Sequence, residues 1–173
     1  VDVCEALIKE RFNFEWYCET RVDTVNRHIL EIMKRAGCIL IWFGVESGDD
    51  SILKSSEKDI DVGMIRDTFK ACKEVDIQTG AYVIFGLPGD TEESILKTID
   101  FLIELDCDFV SFIIAMPKLG SELRKMAIMQ GWISPDYKEM ENGIPIPTIS
   151  QERIKSLRGY GIRRFYFRPR YIT

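Results

Sequence analysis

The residue types best suited to chemistry in this chain follow an apolar run. Residues 39–45 form that run, and Glu46, Ser47 and Gly48 end it. The run is too short to span a membrane and lacks the polar positions of an amphipathic helix, so it predicts a strand buried on both faces. Such strands belong to parallel sheets, whose ligands gather at the carboxyl ends of the strands. Glu46 and Ser47 are therefore candidate binding residues, with the alternative that Glu46 only caps the following turn.

The two-residue period of a strand extends this prediction to its neighbours. If Glu46 faces a ligand, then Trp42 and Gly44 share its face, whereas Phe43 and Val45 pack under helices. Gly44 would leave room beside the carboxylate.

A second pair of charged residues ends the preceding strand, predicted over residues 12–22 from its aromatic content. Glu19 and Arg21 are two residues apart and would project from one face at the carboxyl end of that strand. For Arg21 the alternative is a surface ion pair.

Composition restricts the class of protein. The 173 residues are 46 % hydrophobic, enough for the core of one domain, and the net charge is -5. Seven of the 23 basic residues but one of the 28 acidic residues follow residue 150, so the body is acidic and the tail basic. The five cysteines form no C-x-x-C pair and no recognisable metal-ligand set, and their odd number argues against a disulfide framework. These features predict a cytoplasmic protein without membrane contacts.

The hydrophobic periodicity predicts alternating strands and helices, with residues 132–149 irregular. Strands are predicted over 12–22, 39–45, 78–87 and 109–116, and helices over 2–11, 23–36, 49–58, 61–75, 92–105, 122–130 and 150–162. The order β-α-β-α-β-α-β is about half of a parallel β/α barrel.

The stretch at residues 85–94 (FGLPGDTEES) joins a predicted strand to a helix. A phosphate-binding loop needs a Gly-Lys-Ser/Thr ending, and the acids here would repel phosphate. The stretch instead predicts a tight turn whose glycines let a ligand approach the backbone, followed by a capping box between Asp90 and Glu93.

Several motifs resemble one family. TRVD at 20–23, AGC and FGVESG within 36–48, and FGLPGDTEES closely resemble the later strands of radical S-adenosylmethionine (SAM) enzymes. The similarity is best to the group that often carries a cobalamin-binding domain. The ending FYFRPRYI at 165–172 resembles the tail segment of that group. The resemblance covers nearly the whole chain and implies an α/β fold, a partial TIM-like barrel of about four parallel strands.

In that family a C-x-x-x-C-x-x-C loop binds a [4Fe–4S] cluster, which reduces SAM to give a 5′-deoxyadenosyl radical that abstracts hydrogen from a substrate. This chain has no such cysteine trio. The resemblance therefore implies that the chain is a fragment of an oxidoreductase and is inactive alone. The parent enzyme would hold SAM, a [4Fe–4S] cluster and, as a further candidate, cobalamin. Residues 1–131 would supply the third to sixth barrel strands, and 132–173 an irregular segment with a basic helix and tail.

The resemblance also implies roles for single residues, all of them in cofactor binding. Glu46 and Ser47 would contact the SAM ribose, because a carboxylate accepts hydrogen bonds from both hydroxyls. Arg21, with Glu19 beside it, would address the amino-acid end of SAM. The adenine would be lined by Ile84 and Gly86, and Ala115 and Met116 would complete that wall. No catalytic residue and no metal ligand is assigned.

Other functions and partners stay open at this point. A non-catalytic α/β ligand-binding or assembly module that lost the cluster is the alternative, and the upstream reading frame discriminates the two. The aromatic and arginine residues of the tail could bind tRNA, but packing against a missing part of the parent is at least as good an explanation, so nucleic acid is not an expected partner. The expected partners are the missing N-terminal part of the barrel and a second copy at the exposed edge of the first strand.

Overall fold

One parallel sheet forms the centre of the computed structural model, which describes residues 1–55, 59–138 and 143–172. Its strands are β1 (Trp16–Thr20), β2 (Cys38–Glu46), β3 (Gln78–Phe85) and β4 (Phe109–Ile114). They lie in the order β1-β2-β3-β4, and every neighbouring pair is parallel. The α/β fold with four parallel strands, expected from the sequence, is confirmed.

Helices connect the strands and cover one face of the sheet. They are α1 (Asp2–Lys9), α2 (Arg27–Arg35), α3 (Asp50–Ser55), α4 (Val62–Glu74), α5 (Glu92–Leu105), α6 (Glu122–Met129), α7 (Gln151–Tyr166) and α8 (Pro169–Ile172), and a 3-10 turn lies at Val22–Thr24. The described parts of residues 132–149 contain no helix or strand, as predicted. Within the described residues, no helix is both long and apolar enough to cross a membrane.

Some boundaries differ from those predicted. The strand expected over 12–22 has only five residues, because the 3-10 turn begins at Val22. The next helix begins at Arg27, since the Asn26 side chain accepts a hydrogen bond from the Ile29 amide at 3.0 Å and caps it. The last long helix continues four residues past Ile162.

The two faces of the sheet are buried to different extents. On the helix side Ile41, Phe43 and Val45 are fully buried. On the other side Leu40 and Trp42 are only half-buried. This alternation confirms the orientation predicted for residues 40–45, whereas the register shifts before Glu46 and the face predicted for that residue is not confirmed. The side of the sheet that bears Trp42 is the open face.

The outer edge of β4 is covered by α7. The Tyr166 hydroxyl accepts a hydrogen bond from the Val110 amide at 2.9 Å and donates one to the Val110 carbonyl at 2.8 Å. Arg158 Nε donates to the Phe112 carbonyl at 2.8 Å. Side chains of the helix thus satisfy backbone groups that would otherwise pair with another strand.

The basic and aromatic tail packs against the turn between α5 and β4. The Arg168 guanidinium lies 4.1 Å from the centroid of the buried Phe165 ring, and Arg170 pairs with Asp106 at 2.9 Å and with Asp108. The Tyr171 hydroxyl donates to the Asp108 carbonyl at 2.7 Å. Most of the residues that suggested nucleic acid or a missing packing partner therefore make contacts within this chain, whereas Phe167 and Ile172 are exposed.

Removing the hydroxyl that caps β4 should destabilise the fold. We expect Tyr166→Phe to lower the free energy of unfolding by about 1–3 kcal/mol, because it leaves the Val110 amide and carbonyl without this partner. Urea denaturation of the variant and the wild type measures the change. Tyr160→Phe on the same helix, where the side chain is exposed, is the control and should cost under about 0.5 kcal/mol. Equal losses in the two variants would contradict this account of the edge.

The other edge of the sheet, β1, leads to a prediction about association. Within the described residues β1 pairs only with β2, so we expect the 173-residue chain to form a dimer or larger species at micromolar concentration. Analytical ultracentrifugation measures this, and Tyr17→Lys, which places a charge on the edge strand, should shift the chain toward monomer. A monodisperse wild-type monomer would rule the association out.

Candidate functional site

An aromatic layer, formed by Trp42, Tyr82 and Phe109, covers the open face of the sheet. Trp42 and Phe109 both lie beside Gly80 in the strand register. The Trp42 indole lies flat across Gly80, where an added Cβ would come within 2.3 Å of the ring. The indole and Phe109 ring centroids are 6.1 Å apart. Gly80 is therefore required for the close approach of Trp42 to β3.

Tyr82 connects this aromatic layer to β1. Its ring stacks on Trp42 with centroids 4.7 Å apart, and its hydroxyl donates to Glu19 Oε1 at 2.8 Å. The bond crosses β2 beside Gly44, the register partner of Tyr82. The hydrogen bond to the Glu19 carboxylate raises the pKa of Tyr82, so the phenol stays protonated and remains a donor.

Glu46 ends β2 in an unusual backbone conformation. The register shifts between Gly44 and Glu46, and Glu46 has φ 63°, in the left-handed region that few residues other than glycine adopt. The residue as a whole is 7 % exposed. A bulge of this kind re-aims the side chain at a strand end, and strained backbone is concentrated at functional sites.

Ser47 and Gly48 face α5. The Ser47 hydroxyl lies 3.1 Å from the Thr98 hydroxyl, which also accepts from the Gly48 amide at 2.9 Å. Ser47 Oγ in turn accepts from the Asp49 amide. A Cβ on Gly48 would lie 2.7 Å from Phe101 Cβ, so only glycine fits there. Ser47 thus fixes the turn after β2, and its contact with a ribose stays a prediction.

Arg21 forms the ion pair that was its alternative assignment. Its Nε and Nη2 donate to the two Asp23 oxygens at 2.9 and 2.7 Å, and this fork lowers the pKa of Asp23. Glu19 and Arg21 leave β1 at its carboxyl end, as expected, but Glu19 contacts Tyr82 and Arg21 contacts Asp23. The contact of Arg21 with a ligand stays a prediction.

The buried Asp90 closes the turn between β3 and α5. Its Oδ2 accepts from the Gly86 and Leu87 amides at 2.9 and 3.0 Å, and its Oδ1 accepts from Ser94 Oγ at 2.7 Å. Burial raises the pKa of Asp90 above its ordinary value. The predicted Asp90–Glu93 capping box is wrong, because Thr91 is the N-cap and forms the box with Ser94.

The predicted adenine wall lies at the adjoining ends of β3 and β4. Ile84 is half-buried on the open face, and Met116 is 36 % exposed. Gly86 has φ +85°, and an added Cβ would lie 3.1 Å from Ile154 Cδ1 and 4.0 Å from the buried Ala115 Cβ. An α7 side chain therefore fills the space beside Gly86. The adenine contacts themselves stay predictions.

The charges and thiols limit the chemistry of this sheet end. The four strands contain two charged residues, Glu19 and Glu46, both acidic. All five cysteines are free, and burial raises the pKa of the Cys72 and Cys107 thiols to about 12. Across residues 1–55, 59–138 and 143–172, no group of three His, Cys, Asp or Glu side chains could hold a metal ion. The site suits a cationic organic ligand, and its described residues supply no cluster ligands.

Sequence reasoning missed three contributors to this region: Tyr82, Asp90 as a turn acceptor, and Ile154. Tyr82 stands two residues before the assigned Ile84, so the strand period placed it on the same face. Asp90 follows Pro88-Gly89, where aspartate commonly accepts backbone hydrogen bonds. Ile154 comes from a helix 68 residues beyond Gly86, and no local pattern indicates that contact.

Comparison with known proteins assigns the chain to a family. The profile of the radical SAM superfamily matches residues 1–102. An uncharacterized methyltransferase of Pyrococcus horikoshii is 28 % identical over 98 % of this chain and 38 % of its own length. A putative methylthiotransferase of Methanocaldococcus jannaschii is 33 % identical over 61 % of this chain and 23 % of its own.

A solved structure shares the fold. The radical SAM methyltransferase TsrM from Kitasatospora setae, with cobalamin and a [4Fe–4S] cluster bound, matches with TM-score 0.65 and 16 % identity over 98 % of this chain and 35 % of that one. The sheet is thus of the kind found in radical SAM barrels. On the profile match, the chain belongs to the radical SAM superfamily, and it spans just over a third of the length of the Pyrococcus relative.

Asp90 gives a prediction for the turn beside the site. We expect Asp90→Ala to cost about 2–4 kcal/mol of unfolding free energy, because three buried donors lose their acceptor. Asp90→Asn should cost clearly less, since it keeps one acceptor oxygen and avoids burying a charge. Urea denaturation compares them, with the exposed Asp67→Ala as control. An Asn variant as unstable as the Ala variant would contradict the assigned role.

Proposed function

We propose that this chain forms the SAM-binding part of a radical SAM methyltransferase. Family membership supports SAM as the cofactor, and the names of the Pyrococcus relative and of the TsrM structure favour methyl transfer over the oxidoreductase activity expected from the sequence. For the whole protein, we also propose the [4Fe–4S] cluster and the cobalamin that the TsrM structure contains.

One observation carries the proposal: the strained and buried Glu46 at the bulged end of β2. SAM carries a sulfonium and an ammonium group, and strands whose only charges are two carboxylates attract such a cation. In this proposal Glu46 accepts hydrogen bonds from the ribose hydroxyls, with Ser47 beside it as a weaker contact because Thr98 already engages its hydroxyl.

The other assigned residues complete the proposed cofactor site. Arg21 would exchange Asp23 for the SAM carboxylate, since the guanidinium fork fits either acid. The adenine would lie against Ile84 and the Gly86 backbone, with Ala115 and Met116 at its edge. A cluster held by other parts of the whole protein would supply the electron that cleaves SAM, and the residues of this chain would orient SAM.

SAM binding tests the proposal. Isothermal titration calorimetry of the protein purified from its complete reading frame should show that Glu46→Gln weakens SAM binding by about tenfold or more, since a charged acceptor of two hydrogen bonds is lost. Glu31→Gln, on the outer surface of α2, is the matched control and should leave the affinity unchanged. Unchanged SAM affinity in Glu46→Gln would refute the ribose contact.

Iron content separates this function from the non-catalytic alternative. The same protein, reconstituted without oxygen, should bind iron and show the absorption band of a cluster, with the 173-residue chain as the iron-free control. Absence of iron from both would favour a ligand-binding or assembly module.

A further inference from the structure

We infer that Thr98 is a positioning residue, whose hydroxyl holds the turn at Glu46 in the shape that presents this carboxylate to the ribose of SAM. The inference rests on the proposed function and adds to it a residue outside the assigned site, together with the part of the ligand that this residue serves. Thr98 belongs to α5, so the inference makes this helix a support of the ribose contact at the end of β2.

The backbone at the end of β2 is strained at Glu46. The Ser47 amide donates to the Val45 carbonyl at 2.8 Å, and Glu46 between them has φ 63°. A hydrogen bond between residues two apart, around a residue of positive φ, is the pattern of the rare and strained kind of γ-turn. Strained backbone persists only where the surrounding structure holds it, so contacts of the following residues must keep this turn in place.

One buried hydroxyl supplies that support. Thr98 Oγ1 donates to the Ser94 carbonyl at 2.9 Å and accepts from the Gly48 amide at 2.9 Å. Its single proton is used in the first of these bonds, so the Ser47 hydroxyl, 3.1 Å away, must donate to Thr98. Both residues that follow Glu46 are therefore bound to the same oxygen atom of α5.

The burial of this contact makes the Thr98 hydroxyl hard to replace. Ser47 and Thr98 are each 2 % exposed, and a Cβ added to Gly48 would lie 2.9 Å from Thr98 Cα. Solvent therefore does not reach the Gly48 amide and the Ser47 hydroxyl, and both would lose a partner if the Thr98 oxygen were removed. The turn would then relax, and the carboxylate of Glu46 would move with it.

A second connection between this turn and α5 is weaker. Asp49 pairs with Lys97 at 2.9 Å, but the Lys97 side chain is 58 % exposed, and ion pairs of exposed side chains contribute little. Asp49 also lies three residues beyond Glu46. The Thr98 hydroxyl is thus the main support of the strained residue.

The experiment compares three ligands that differ in the groups that Glu46 would contact. SAM and 5′-methylthioadenosine both carry two ribose hydroxyls, whereas the 2′,3′-dideoxy form of methylthioadenosine has neither. We expect Thr98→Val, which removes the hydroxyl at nearly constant volume, to weaken SAM and methylthioadenosine binding roughly three- to tenfold and to leave binding of the dideoxy compound unchanged. Thr98→Ser, which keeps the hydroxyl, should bind all three ligands as the wild type does. Calorimetry on the protein from its complete reading frame measures these affinities, with competition against SAM for the dideoxy compound.

Two further variants and a control complete the design. In a Glu46→Gln background, Thr98→Val should cause clearly less further loss of SAM affinity, because the contact that it supports is already weakened. If Thr98→Val does not fold, Thr98→Cys, whose thiol is a weak donor and acceptor, replaces it and should show the same selectivity with a smaller loss. Thr79→Val is the matched control: this buried threonine lies at the amino end of β3, its hydroxyl is 3.4 Å from Asp108, and its loss should leave all affinities unchanged.

The outcomes separate the inference from the proposed function. Equal weakening of the dideoxy compound, which a purely structural role of Thr98 would cause, overturns the inference and leaves the proposed function intact. An unchanged SAM affinity in Thr98→Val, or the full loss in the Glu46→Gln background, does the same. Failure of the wild-type protein to bind SAM would instead overturn the proposed function, and the inference with it.

Discussion

The structure depends on the unequal burial of the two faces of one parallel sheet. Ile41, Phe43 and Val45 are fully buried under helices, whereas Trp42 on the other face is only half-buried. Burial of apolar side chains on one side stabilises the sheet, so the side chains of the other side are available for contact with a ligand. The aromatic layer covers the middle of that open face, and Glu19 and Glu46 lie nearer the carboxyl ends of β1 and β2.

The turns after β2 and β3 are held by hydrogen bonds to α5, and the ion pair between Asp49 and Lys97 at 2.9 Å also joins the first of them to that helix. Ser47 and Asp90 each tie a turn to α5, through Thr98 and Ser94 respectively. Both turns are therefore fixed by the same helix. A ligand bound between the ends of β2 and β3 would meet two preformed turns, which reduces the entropy lost on binding.

Much of the fold follows from the sequence, because its signals are local. Uninterrupted apolar runs identified β2 and β3, and α5 has the predicted bounds Glu92–Leu105. The bulge at Glu46 was not predictable, because the prediction assumed that side chains alternate strictly between the two faces of the strand, and that assumption contains no register shift. The Tyr166 contact with Val110 and the Ile154 contact with Gly86 are also non-local, and they arise only when α7 packs on the sheet. Glu19, Glu46 and Ile84 lie on the strands predicted for them, the assigned residues 21, 86, 115 and 116 lie just beyond the strand ends, and the hydrogen-bond partners came from packing.

Because α7 covers the outer edge of β4, the two edges of the sheet differ in whether a further strand can be added. Tyr166 and Arg158 occupy the backbone groups of Val110 and Phe112, so an added strand could not pair there without displacing α7. Within the described residues, no helix would have to be displaced for a strand to pair with the outer edge of β1. Any enlargement of this sheet, whether by more of its own polypeptide or by another chain, would therefore proceed from β1 and extend the register that already runs from β4 to β1.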